Sequence, residues 1–171
     1  MPPDPKQIDL KQERPTDASS SSFKLVSEVT SSTDGSSSSI PAVQKYVSTA
    51  TGMRLYVCQV DGPVVEGCFT LATEARDDDG LPHTLEHMIF LGSEAYPYAG
   101  VLDLLANKIY AAGTNAWTDV DNTTYTISTV ESDGFLQVLP VYLDHIFYPL
   151  LNESGFITEV YHVNEAGEEA Q

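Results

Sequence analysis

The residues that most constrain this chain are His83, Glu86 and His87, in the segment LPHTLEHMIFLG, because their spacing makes chemical sense on a helix. Each helical residue advances by about 100°, which sets Glu86 about 60° to one side of His83 and His87 about 40° to the other. All three then share one face. Side chains four residues apart start roughly 5 to 6 Å from each other, so both imidazoles can turn onto one metal ion with the carboxylate beside it. Pro82 suits a first helical turn and the acidic DDDG at 77–80 suits the positive end of a helix dipole, so the helix is expected over 82–91.

Such a face suits amide hydrolysis at zinc. A zinc ion lowers the pKa of its water to around 7, and an adjacent carboxylate can take the proton as that water attacks a carbonyl, then pass it to the leaving amine. His83 and His87 are the candidate ligands and Glu86 the candidate general base. The plainer reading has the two histidines capping or packing the helix. It leaves a carboxylate beside them that is costly to bury without a partner.

Around this helix the pattern is that of one α+β domain behind a polar lead-in. Residues 1–22 are rich in Pro, Asp and Ser and lack apolar periodicity, so they are expected to be flexible. A strand is expected at Phe23 to Val29, and the Ser-rich 31–39 reads as an exposed loop. From Val43 to Ala75, β-branched and aromatic residues broken by Thr51-Gly52 and by Asp61-Gly62-Pro63 read as antiparallel strands, the second break being a hairpin turn. Helical spacing of Val101, Leu102, Leu105 and Ile109 predicts a helix over 98–111. A Thr- and Tyr-rich run predicts one strand over 116–130. A final helix is expected from Asp133 to about Leu150, with Phe135, Leu136, Leu139, Leu143, Ile146 and Phe147 as its apolar stripe and Pro140 as a bend.

Composition excludes some partners. Acidic residues outnumber basic ones 25 to 8, for a formal charge of −17, which repels phosphate backbones and anionic membranes. Nucleic acid and membrane are not expected as partners, and no apolar run approaches the roughly 18 to 20 residues of a membrane span. Lys108 is the last basic residue, with ten acids after it. That surface suits positively charged peptides, or simply a solvated face. Cys58 and Cys68 lie in the expected hairpin out of register for pairing, and are read as reduced, packed thiols. The N-terminus shows neither a signal nor an Arg-rich transit pattern, so the cytoplasm is the default compartment and the mitochondrion the alternative.

The segment GLPHTLEHMIFLGSEAYP resembles the signature of the inverted-motif zinc peptidases of the pitrilysin and insulin-degrading enzyme type, which include presequence proteases and mitochondrial processing peptidase. A second block, GTNAWTDVDNTTYTIST, resembles that family's Asn-Ala-x-Thr strand, and together the likeness covers roughly 42–171. It implies a largely antiparallel sheet with helices on one face, zinc at His83 and His87, and Glu86 as the base. It also implies that this strand lies along the active-site cleft and pairs with extended peptide, making Asn115, Ala116 and Trp117 candidate substrate contacts. From the residues alone, Asn115 equally suits a turn and Trp117 a core.

A catalytic zinc usually has three protein ligands. The family's third is a distal Glu, which spacing in pitrilysin-like members would put near Glu165. The tail TEVYHVNEAGEEAQ instead resembles the presequence-protease branch, where the ligand lies on a later helix. The implied third ligand therefore lies beyond Gln171, with Glu165 the weaker alternative and Glu165, Glu168 and Glu169 read as solvated acids. Family members also close their chamber with a second homologous half. Residues 23–171 are accordingly expected to be an N-terminal peptidase domain cut short at its C-terminal end, weak or inactive alone. The alternative is a noncatalytic peptide-binding or assembly module of the same fold.

Overall fold

The computed structural model describes residues 22–29, 42–75, 77, 79–108, 113–159, 162–163 and 169–170. The lead-in before Ser22 and the Ser-rich stretch at 31–39 lie outside the described residues. The chain divides into two compact units, Met1–Asp61 and Gly62–Gln171.

The first unit is an antiparallel sheet of β1 (Phe23–Val29), β2 (Val43–Ser48) and β3 (Arg54–Cys58), with β2 in the middle. β2 and β3 are joined at the expected Thr51-Gly52 turn, where Gly52 takes φ 75°, a left-handed conformation that glycine adopts without a Cβ penalty. Ser48 closes the turn by donating its N–H to Met53 O at 2.8 Å.

The second unit runs β4 (Val64–Ala72), α1 (Leu81–Ile89), α2 (Val101–Lys108), β5 (Gly113–Thr118), β6 (Asn122–Val130), α3 (Ser132–Phe147), α4 (Glu153–Glu159), then the two-residue strands β7 (His162–Val163) and β8 (Glu169–Ala170). β4, β6 and β5 form an antiparallel sheet in that order, leaving β5 at an edge. Strand alternation sends Phe69 and Leu71 of β4, Tyr125 and Ile127 of β6 and Ala116 of β5 to one face, where they meet Ile89, Leu102, Val138, Val141, Tyr142 and Ile146 of the helices. This is the antiparallel sheet with helices on one face that the sequence led us to expect.

Several local expectations are corrected. The single strand over 116–130 is a hairpin: Asp119 donates its N–H to Asn122 O at 2.7 Å, and the Asp119 carboxylate accepts from Val120 N at 2.7 Å, so the side chain itself stabilises the turn. β3 and β4 belong to different sheets, so no ladder forms a hairpin across Asp61-Gly62-Pro63; every residue of β4 pairs with β6 instead. Cys58 and Cys68 are free thiols as expected, but exposed rather than packed. In α3 the buried stripe is Val138, Val141, Tyr142, His145 and Ile146, while Leu136 and Phe147 face solvent. Two polar side chains make that phase possible, since Tyr142 OH donates to Thr126 O at 2.9 Å and His145 Nδ1 to Val141 O at 2.8 Å. α2 starts three residues later than expected, at Val101 after Gly100, and α4 was not anticipated.

Candidate metal centre

α1 begins after Gly80, which is left-handed at φ 69°, and carries Pro82 in its first turn, where a missing N–H costs nothing. Its inner side buries Met88 and Ile89 and half-buries Leu85, which packs against the core. That anchorage turns His83 and His87 outward, both exposed, with Glu86 half-buried between the two environments.

The two imidazoles converge. Their Nε2 atoms are 3.1 Å apart and their ring centroids 4.8 Å apart, with the planes inclined at 56°. Two imidazole nitrogens on a tetrahedral zinc, at about 2.0 to 2.1 Å each, stand roughly 3.3 Å from one another. The pair is therefore spaced as two ligands of one ion would be, and the donor set suits zinc. Without a metal the same approach is an N–H···N hydrogen bond, with one ring protonated at Nε2 and the other bare.

Glu86 is held from the sheet. Thr118, the last residue of β5, donates its hydroxyl to Glu86 Oε2 at 2.6 Å. Behind it Thr118 Oγ1 lies 3.3 Å from Thr123 Oγ1, which lies 3.1 Å from Thr73 Oγ1. Tyr125 is buried in the core near this carboxylate, and its phenol is pushed up to about 12, chiefly by burial and secondly by the negative charge of Glu86. A cavity of about 370 Å³ opens beside His83, lined among others by Ala75, Asp77, Pro82, Thr118 and Val120.

The candidate substrate contacts are divided between faces of the sheet. Ala116 points into the core, while Asn115 and Trp117 lie on the outward face, Trp117 being 47% exposed. A hollow of about 420 Å³ on that outward face touches Cys68, Asn115 and Thr126 rather than the histidines. What brings the three residues towards α1 is the edge strand itself, which ends at Thr118. Sequence reasoning missed Thr118 as a site residue. The signal was available, because alternation along GTNAWT puts Thr114, Ala116 and Thr118 on one side of the strand.

Among the described residues no three His, Cys, Asp or Glu side chains gather as a metal cluster. Glu165 and Glu168 lie outside the described residues, and Glu169 is placed only as a β8 strand residue paired with Val163. His145 is fully buried on α3 and stacked on Tyr96, with ring centroids 6.2 Å apart, so it belongs to the core and not to the histidine pair.

Several known proteins are similar to this chain. An uncharacterized protein of Caenorhabditis elegans is 55% identical over 125 residues, covering 73% of this chain and 13% of that protein. One of Saccharomyces cerevisiae is 46% identical over 123 residues, covering 71% of this chain and 12% of its own length. The mitochondrial presequence protease of Xenopus tropicalis is 38% identical over 87 residues, covering 51% of this chain and 8% of that enzyme. The chain thus spans a small part of the length of the relatives it matches. The crystal structure of pitrilysin shares the fold, with a TM-score of 0.66 at 22% identity, covering 79% of this chain and 14% of pitrilysin. Residues 72–171, and with them α1, β5 and β6, match the insulinase family, and the chain belongs to that family, peptidase family M16.

Proposed function

We propose that this chain is the N-terminal catalytic part of a zinc endopeptidase that hydrolyses extended peptides. The observation that carries the reading is the 3.1 Å convergence of His83 and His87 Nε2 on the helix face that also presents Glu86. His83 and His87 are the two ligands. A zinc ion held there supplies a Lewis acid for the scissile carbonyl and lowers the pKa of a water. Glu86 takes the proton from the attacking water and returns it to the departing amine. The edge strand β5 pairs with the peptide along Asn115, Ala116 and Trp117, the side of its main chain turned away from β6 supplying contacts independent of substrate sequence. A third ligand from residues after Gln171, with Glu165 as the alternative, and a second homologous half complete the enzyme. His83 and His87 by themselves are expected to bind zinc weakly and to support only slow cleavage.

Zinc content and cleavage of fluorogenic peptides are to be compared for this chain and for a protein extended to the length of its relatives. Glu86→Gln should reduce kcat of the extended protein by at least about a thousandfold while leaving its zinc content intact. Unchanged activity in that variant sinks the proposal. Zinc-free extended protein that binds peptide without cleaving it favours the noncatalytic module of the same fold.

A further inference from the structure

We propose that Thr118 is a positioning residue for Glu86, fed by a one-way chain of hydroxyls that starts at Thr73. The inference rests on Glu86 being the general base. Thr118 has a single hydroxyl proton, and at 2.6 Å it is given to Glu86 Oε2, a carboxylate oxygen that can only accept. The contact between Thr118 Oγ1 and Thr123 Oγ1, 3.3 Å, therefore has Thr123 as the donor. Thr123 has then spent its own proton, so Thr73 donates across the 3.1 Å contact to Thr123. The order Thr73, Thr123, Thr118, Glu86 follows from proton count alone. Hydroxyls aligned head to tail polarise one another, so the last donor is the strongest.

The scaffold suits that purpose. Thr118 and Thr123 are directly opposite each other in the β5–β6 ladder, and Thr123 is 1% exposed, so water does not compete for its hydroxyl. Thr73 follows β4 and is tied by its N–H to Asp121 O at 3.1 Å, which fixes the start of the chain to the β5–β6 turn. Threonine is stiff at χ1, so its hydroxyl direction is set by the strand. α1 contributes Glu86 from a helix and β5 supplies Thr118 from a strand. The bond therefore fixes the carboxylate in the frame of the very strand to which the peptide is proposed to pair. A base loosely held on its helix would have that orientation only part of the time, and misplacement is costly in rate.

The test uses Thr118→Val, Thr118→Ser and Thr123→Val in the extended protein, with kcat, KM, zinc content and Tm measured for each. Loss of one oriented hydrogen bond in Thr118→Val should lower kcat about tenfold while KM stays within about twofold and zinc content is unchanged. Thr118→Ser should restore most of kcat, and Thr123→Val should fall between. A second readout needs neither metal nor turnover. In the 171-residue chain the Thr118 hydroxyl proton should give a slowly exchanging NMR signal that vanishes in Glu86→Ala. An unchanged kcat in Thr118→Val, a loss that Thr118→Ser does not rescue, or a freely exchanging hydroxyl in the wild type overturns the proposal. If Glu86→Gln is inactive while Thr118→Val is fully active, positioning fails and the endopeptidase reading stands. If Glu86→Gln remains active, both fall.

Discussion

Tyr125 and Glu86 come from different parts of the sequence and lie near one another where the sheet supports α1, and the carboxylate's charge alters the chemistry of the phenol. The Tyr125 phenol is raised to about 12 by burial first and by the Glu86 charge second, and Tyr142 moves the same way, mainly through burial. Between pH 10 and 12 the folded chain therefore holds protons that the unfolded chain has released. Stability is full below the ordinary phenol value near 10 and falls as pH rises towards 12. Thermal melts across that range should show a declining Tm, and Tyr125→Phe should make the decline shallower. An equal slope in the variant would remove Tyr125 from the account. Residue roles were only partly legible in the sequence. The convergence of His83 and His87 beside Glu86 could be read because all three lie within five residues on one helix. The link from Glu86 to Thr118 spans 32 positions and depends on how β5 packs beside α1. Alternation along β5 places Thr118 on one side of the strand, but no local pattern encodes the bond to Glu86.

Among elements, β4 and α3 fit closely at Gly67. A Cβ placed on Gly67 would lie 2.7 Å from Phe135 Cε2, 2.8 Å from its Cζ and 3.1 Å from Phe69 Cε2, so the glycine is there to let the helix side chain reach the sheet. Gly67→Val should cost about 1 to 3 kcal/mol through overpacking. Adding Phe135→Ala should recover part of that loss, since the two sites share one space. Denaturant melts of the single and double variants test this, and simple additivity would refute the clash. Elements were legible where periodicity and turn chemistry agreed, as for α1 and the β2–β3 turn. They were misread where the two conflicted. Thr-rich residues on both sides of Asp119-Val120-Asp121 looked like one strand because the turn is made by an aspartate bonding the next backbone N–H, without glycine. α3 was misphased because Tyr142 and His145 are buried by hydrogen bonds that apolar counting ignores, while Leu136 is left outside at 62% exposure.

For the molecule as a whole, charge is the property that acts at a distance. With a formal charge of −17, the protein should attract Lys- and Arg-rich peptides and repel acidic ones. In the extended protein, kcat/KM for a basic peptide should fall severalfold between about 0.02 and 0.2 M salt, with a neutral peptide nearly unaffected. A flat response for the basic peptide would show that the acids are only a solvated coat. Charge also bears on the edge strand. Among the described residues β5 is hydrogen-bonded to a strand on one side only, and an edge of that kind can pair with another copy of the chain as well as with a peptide. Two copies approaching edge to edge bring like charges together, among them Asp119 and Asp121 at the β5–β6 turn. The acidity predicted to draw in basic peptides should thus also work as a guard against self-association. Acid or high salt would weaken that guard, and an open peptide edge would then become a seed for aggregation.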